Sequence, residues 1–253
     1  MAITIKSERE IELMAEAGKI LERVHNELEK ALHPGMSTKD IDTLGEEIIR
    51  SYGCIPSFLN YNGYPASICV SVNQEVVHGI PDKHRIIHEG DIVSLDAGVI
   101  YKGYHSDAAR THAVGEVSEE AKKLIQVTKE CFFEGIKYAK AGNHLFDISG
   151  AIGRYAEERG YGVVRDLCGH GIGTALHEAP EIPNYEVGRK GVKLRPGMTL
   201  AIEPMINMGT YEVDWLDDDW TVVTRDGSLS AHYENTILIT EGEPRILSLT
   251  CDN

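Results

Sequence analysis

The 253 residues carry 40 acidic against 25 basic side chains, a net charge of −15, with 42% hydrophobic and 26% charged residues. That composition is globular rather than disordered, and an acidic surface repels nucleic acid and anionic membranes, which argues against DNA or a membrane as a partner. Five dispersed cysteines, Cys54, Cys69, Cys131, Cys168 and Cys251, with no Cys-x-x-Cys pair, argue against a disulfide framework and for a reducing, cytoplasmic compartment.

Residues 1–12 hold Lys6, Arg9 and three glutamates, with no apolar run long enough for a signal peptide or a membrane span. Ser7 and Glu10 have capping-box spacing, and Ile11, Met14, Leu21, Val24 and Leu28 then recur at helical intervals up to Pro34-Gly35. A second helical pattern starts near Thr38 or Asp40, runs through Ile41, Leu44, Ile48 and Ile49, and stops around Gly53. Aromatics and turn formers fill 58–65, ahead of a strand pattern over 68–72.

Glu89-Gly90-Asp91 introduces a strand over 92–100, Lys102-Gly103 makes a turn, and a second strand runs over 107–114, so the hairpin carries Asp96 and Asp107. Helices over 118–140 and 145–159 follow, then strands near Val163 and over 198–203, 220–225 and 232–240. The order of helices, strands, helices, strands hints at duplication. Gly90 to Asp96 parallels Gly197 to Glu203, each a glycine, a strand and a carboxylate six residues on. His78-Gly79-Ile80 parallels His170-Gly171-Ile172, and Asp107 and Glu234 each sit on the strand after the first acid. Without a Pro-, Gly- or Ser-rich linker between them, these read as two similar halves, about 1–115 and 116–253, of one α/β catalytic domain spanning 1–253.

Asp96 and Asp107 on paired strands repel each other unless a proton or a cation intervenes. Asp96 and Glu203 each end an apolar run, where an uncompensated charge is expensive. With Glu234 and His170 the set is four carboxylates and one imidazole, which suits two divalent ions of the Mn, Fe, Co or Zn type better than one tetrahedral zinc. Two ions also suit hydrolysis, because a water between them loses its proton near neutral pH. The 168–173 run is neither a His-Glu-x-x-His helix, since Pro180 interrupts the turn after His177-Glu178, nor a phosphate loop, since no Lys-Ser/Thr follows.

Asn73, His78-Gly79-Ile80-Pro81, Asp96, Asp107, the Gly-His-Gly-Ile-Gly run at 169–173, His177, Ile202-Glu203-Pro204 and Glu234 together resemble the type I methionine aminopeptidases, over nearly the whole chain. The resemblance implies a pita-bread fold, two pseudo-symmetric α/β halves with antiparallel sheet around a dimetal site and helices outside. It implies Asp107 and Glu234 as bridging ligands, Asp96 as chelator of one ion, and His170 and Glu203 completing the other. Glu203 would also shuttle the proton, while His78 and His177 would contact the substrate. The methionine slot corresponds to Phe58, Tyr61, Tyr64, Cys69, Leu176 and Trp220, with Phe58 where the family commonly has a small residue and Leu176 where it commonly has phenylalanine.

His105 and His232 each precede a bridging candidate by two residues, so strand alternation predicts hydrogen bonds to Asp107 and Glu234. The implied activity is removal of the initiator methionine from nascent polypeptides by a monomer of the short bacterial form, and the acidic balance leaves the encounter with the ribosome open. Two other readings share the fold. One is an Xaa-Pro aminopeptidase or prolidase-like hydrolase, which normally adds an N-terminal domain. The other is a non-catalytic binding paralogue, which generally loses ligands.

Overall fold

A computed structural model describes residues 2–249; Met1 and the C-terminal residues from 250, Cys251 included, lie outside the described residues. In chain order the elements are α1 (Glu8–Ala31), α2 (Thr38–Ser51), β1 (Ile55–Pro56), β2 (Ile68–Val72), β3 (Glu75–Val77), β4 (Ile92–Tyr101), β5 (Tyr104–Ala113), α3 (Glu119–Ile136) and α4 (Leu145–Glu157). They continue as β6 (Gly162–Val163), β7 (Gly169–Gly171), β8 (Glu178–Ile182), β9 (Thr199–Ile202), β10 (Met205–Asn207), β11 (Val213–Trp215), β12 (Val222–Thr224), β13 (Ser230–His232), β14 (Glu234–Leu238) and β15 (Arg245–Ile246).

Local chemistry sets the ends of the main elements. Ser7 and Glu10 cap α1 reciprocally, and Ser37 and Asp40 do the same for α2, each pair satisfying amides that the first turn leaves unbonded. Lys102 and Gly103 both have positive φ, 49° and 87°, the two-residue turn whose twist matches a tight hairpin, and Tyr101 pairs with Tyr104 to close it. Helix α3 stops at Ile136, short of the expected 140, and a turn over 137–138 takes over, with the Ala139 amide donating to the Ile136 carbonyl.

The main sheet among the described residues runs β1-β4-β5-β14-β9-β7-β8, with β2 also beside β4 and β15 beside β14. All its pairings are antiparallel. Val93, Leu95, Ala97, Val99 and Ala108 turn one face towards Ala17, Leu21, Val24 and Leu28 of α1 and Ile41 and Ile49 of α2. Leu200, Ile202 and Ile237 turn the corresponding face towards Leu124 and Phe132 of α3 and Leu145 and Ile148 of α4. Burying those apolar sides under helices leaves the alternate residues on the other face, where the acids stand. This is the α/β arrangement of antiparallel sheet and outer helices expected for the pita-bread fold. Among the described residues Cys54, Cys69, Cys131 and Cys168 are free thiols, and no helix is long and apolar enough to cross a membrane.

Candidate metal centre and substrate pocket

Residues paired across an antiparallel ladder share a face, and residues two apart on a strand share it too. Ala109 pairs with Asp96 on one side and Glu234 on the other, and Asp107 lies two residues from Ala109. Ala201 pairs with Thr236, two residues from Glu234, and with His170, while Glu203 follows Ala201 by two. Asp96, Asp107, Glu234, Glu203 and His170 therefore project from one face, drawn from β4, β5, β14, the end of β9 and β7. Cys69, opposite Asp96, shares that face. The acids of the hairpin are diagonal rather than directly opposed, since Asp107 faces Gly98.

One donor atom each of Asp107, His170 and Glu234 lie within 4.8 Å of one another. His170 Nε2 is 3.9 Å from Asp107 Oδ2 and 3.7 Å from Glu203 Oε1. The other ring nitrogen, Nδ1, meets the Gly171 carbonyl at 2.9 Å. A carbonyl can only accept, so Nδ1 carries the proton and Nε2 offers its lone pair to the carboxylates. Gly169 and Gly171 make this placement possible: a Cβ on Gly169 would fall on the Ala201 carbonyl, and one on Gly171 on the Ala179 carbonyl.

Asp96 Oδ1, Asp107 Oδ1 and Glu234 Oε1 are buried without a hydrogen-bond partner, a costly state for a carboxylate that water cannot reach. Burial pushes Asp96 up to about 7. Burial, reinforced by neighbouring acids, drives Asp107, Glu203 and Glu234 well above the carboxylate range. Burial likewise lowers His170 to about 3 and His78 to about 4, with His177 adding to both. Crowded, desolvated carboxylates beside a neutral imidazole fit divalent cations, whose charge relieves the repulsion and takes up the idle lone pairs.

Beside the acids lies a cavity of about 160 Å³ lined by Phe58, Tyr61, Tyr64, Cys69, Leu176 and Trp220, together with Asn62, His78 and His177 and the five proposed ligands. Tyr64, which edge-packs Trp220 at 5.1 Å between ring centres, is pinned by its hydroxyl donating to the Gly79 carbonyl at 2.9 Å. Phe58 fits because position 98 is glycine, where a Cβ would approach the ring to 2.9 Å. Tyr61 is more than a wall: its hydroxyl lies 2.7 Å from His177 Nδ1. His78 stands edge-on to Trp220, 6.2 Å between ring centres, on a left-handed backbone with φ 59°.

Neither hydrogen bond expected of His105 and His232 forms. His105 bonds elsewhere, its Nδ1 3.0 Å from Ser57 Oγ, while its own backbone amide donates to the Gly173 carbonyl. His232 does face the acids, with Nε2 3.7 Å from Glu203 Oε2 and 4.0 Å from Glu234 Oε2, but neither separation is a hydrogen bond and Nε2 is unpartnered. Two supports escaped the sequence. Thr236 Oγ1 accepts from the Asp107 amide and donates to its carbonyl, both at 2.9 Å, holding β5 to β14 beyond their last paired rung. Lys6 reaches Glu178 at 2.6 Å, tying the N-terminal segment to the turn that bears His177. Only the spacing of Thr236, two residues after Glu234, could have suggested the first.

The sequence profile of metallopeptidase family M24 matches residues 12–241. The chain is 59% identical to a methionine aminopeptidase of Clostridium acetobutylicum, over 98% of this chain and 99% of that one. A methionine aminopeptidase from Thermotoga maritima superposes with a TM-score of 0.96 at 47% identity, covering 98% of this chain and 100% of its own. An Xaa-Pro dipeptidase from Bacillus anthracis superposes with a TM-score of 0.77 at 27% identity, over 98% of this chain but 63% of its own.

Proposed function

The chain belongs to metallopeptidase family M24, among the type I methionine aminopeptidases, and we propose that it hydrolyses the N-terminal methionine from nascent polypeptides whose second residue is small. The observation that carries this reading is the single sheet face on which four carboxylates and His170 converge, with buried oxygens lacking partners, beside an aromatic slot. Asp96, Asp107, His170, Glu203 and Glu234 would hold the divalent ions, with Asp107 and Glu234 shared between them. Bound there, Co, Mn, Fe or Zn ions supply Lewis acidity and bring a water's pKa towards neutrality.

The chain's own groups do the rest. Phe58, Tyr61, Tyr64, Cys69, Leu176 and Trp220 enclose the methionine side chain, where a polarisable thioether gains from aromatic edges. Phe58 and Leu176 place bulk on the opposite wall from the family's common arrangement and keep the slot within methionine's size. Glu203, at the border of cavity and acids, takes the proton of the attacking water and delivers it to the leaving amine. With its hydroxyl on His177 Nδ1, Tyr61 holds the ring in place, and in the tautomer protonated at Nε2 His177 donates to the scissile carbonyl as charge develops there. His78, kept neutral by burial, contacts the peptide nitrogen from the Trp220 side.

An Xaa-Pro hydrolase is not favoured, since the chain is 27% identical to the Xaa-Pro dipeptidase against 59% to the methionine aminopeptidase. The protein acts as one compact catalytic domain of two similar halves, as a cytoplasmic monomer. Metal-stripped enzyme restored with each ion should release methionine from Met-Ala-Ser and leave Met-Trp and Ala-Pro peptides intact. Preference for Ala-Pro would overturn the assignment. Glu203→Gln should retain the fold by circular dichroism while kcat falls about 10²- to 10⁴-fold, the range of general acid–base catalysis.

A further inference from the structure

The candidate site does not end at the metal ligands. His170 and His177 also line a second, more open cleft of about 490 Å³, which continues over Cys168, Gly169, Glu178, Ala179 and Glu181. Its floor is the β7–β8 edge of the main sheet, with β8 outermost. Glu181 pairs directly with His170 across that ladder, so its side chain leaves from the same face as the five proposed ligands. It is exposed.

The two acids of the cleft differ in electrostatic state. Glu178 is neutralised by Lys6 Nζ at 2.6 Å and accepts from Thr4 Oγ1 at 2.6 Å. Among the described residues Glu181 has no hydrogen bond or ion pair, which makes it the free negative charge of the cleft. A polypeptide whose first side chain fills the aromatic slot places its scissile bond by His170 and His177, and the remainder must leave through an opening next to them. Directly paired residues on antiparallel strands are about 5 Å apart between Cα atoms, and an extended chain advances about 3.3 Å per residue. The third and fourth residues of the substrate therefore pass Glu181.

We infer that Glu181 is a specificity-determining residue, whose carboxylate favours polypeptide substrates with a lysine or arginine at the third or fourth position. The inference rests on the methionine aminopeptidase reading and adds to it a preference beyond the second residue. The interaction forms equally in the ground and transition states, so it lowers KM and leaves kcat unchanged. An exposed pair of this kind supplies about a two- to five-fold preference that salt screens.

The test is steady-state kinetics on the metal-loaded enzyme with Met-Ala-Lys-Ser, Met-Ala-Gln-Ser and Met-Ala-Glu-Ser and the matching peptides charged at position four, at low and high salt. The wild type should favour lysine over glutamate in KM, Glu181→Gln should flatten the series, and Glu181→Lys should invert it. Glu47→Gln, an exposed acid on α2, should change nothing. Methionine release from every peptide with no charge preference, or a preference that survives Glu181→Gln, overturns the inference and leaves the assigned activity standing. No release from any Met-Ala peptide overturns the activity and the inference together.

Discussion

His170 and His177 illustrate how a side chain's role follows from the ring nitrogen committed elsewhere. His170 Nδ1 is held by a carbonyl of the next residue, and His177 Nδ1 by the Tyr61 hydroxyl. The first leaves Nε2 a lone pair facing the carboxylates, and the second, a hydroxyl that can donate or accept, holds the His177 ring in place. Tyr61→Phe keeps the slot's shape and removes the second constraint. Its kcat/KM should fall about three- to ten-fold, in line with the net worth of one hydrogen bond, while metal affinity stays unchanged; a loss of metal affinity instead would place Tyr61 in support of the ions. The identities of both histidines could be read from the glycine-rich pattern around them. The tautomer of the first and the anchor of the second could not, because Gly171's carbonyl and Tyr61's hydroxyl are set by the backbone path of a turn and by a contact across 116 positions.

At the level of elements, the site depends on register. The β5–β14 pairing that joins the two sets of proposed ligands has only two paired positions, Ala109 with Glu234 and Ala108 with Asn235, and the Thr236 hydroxyl substitutes for the next rung. Thr236→Val is nearly isosteric and strands both backbone groups of Asp107 in the interior, at a cost of about 2 kcal/mol or more, or about 4–8 °C in Tm. Thr236→Ser should recover most of the loss, and equal melting of wild type and valine variant would refute the rung. The long elements were legible from sequence. Helices α1 and α2 followed from capping residues and periodicity, and the β4–β5 hairpin from Lys102-Gly103. The short strands β7, β8, β10, β11 and β13 were not, because three to five residues carry too little period, and only their partners make them strands.

For the whole molecule, the dominant electrostatic fact is a net charge of −15 with four of those acids gathered on one buried face. Metal-free, Asp96 is shifted from 3.8 to about 7, and Asp107, Glu203 and Glu234 shift the same way. Raised carboxylates contribute stability below their unfolded pKa and lose it as pH rises through the folded one, which for Asp96 is from about 4 to about 7. His170 and His232, lowered from 6.5 to about 3, act oppositely, contributing fully above 6.5 and losing it as pH falls. Cation binding removes the carboxylate penalty and needs the ligands ionised. Saturating Mn or Co should therefore raise Tm more at about pH 7.5 than at about pH 5.5, by roughly 5–10 °C at 100 times Kd. A gain that is larger at the lower pH would contradict the ligand set.

The sequence by itself determined which residues could do chemistry and where along the chain the main helices and the β4–β5 hairpin lie, because capping, periodicity and hairpin turns act over a few residues. It also placed Asp96 and Glu203 at the ends of apolar runs, where an uncompensated charge is expensive. Only the tertiary structure decided that Asp96, Asp107, His170, Glu203 and Glu234 share one face, that His105 bonds Ser57 instead of Asp107, that Thr236 closes the ladder, and that Glu181 continues the face to the sheet edge. Those outcomes rest on register between strands as much as 130 residues apart in sequence, and register is set by packing of the whole sheet against four helices, a condition that no local window of the chain contains.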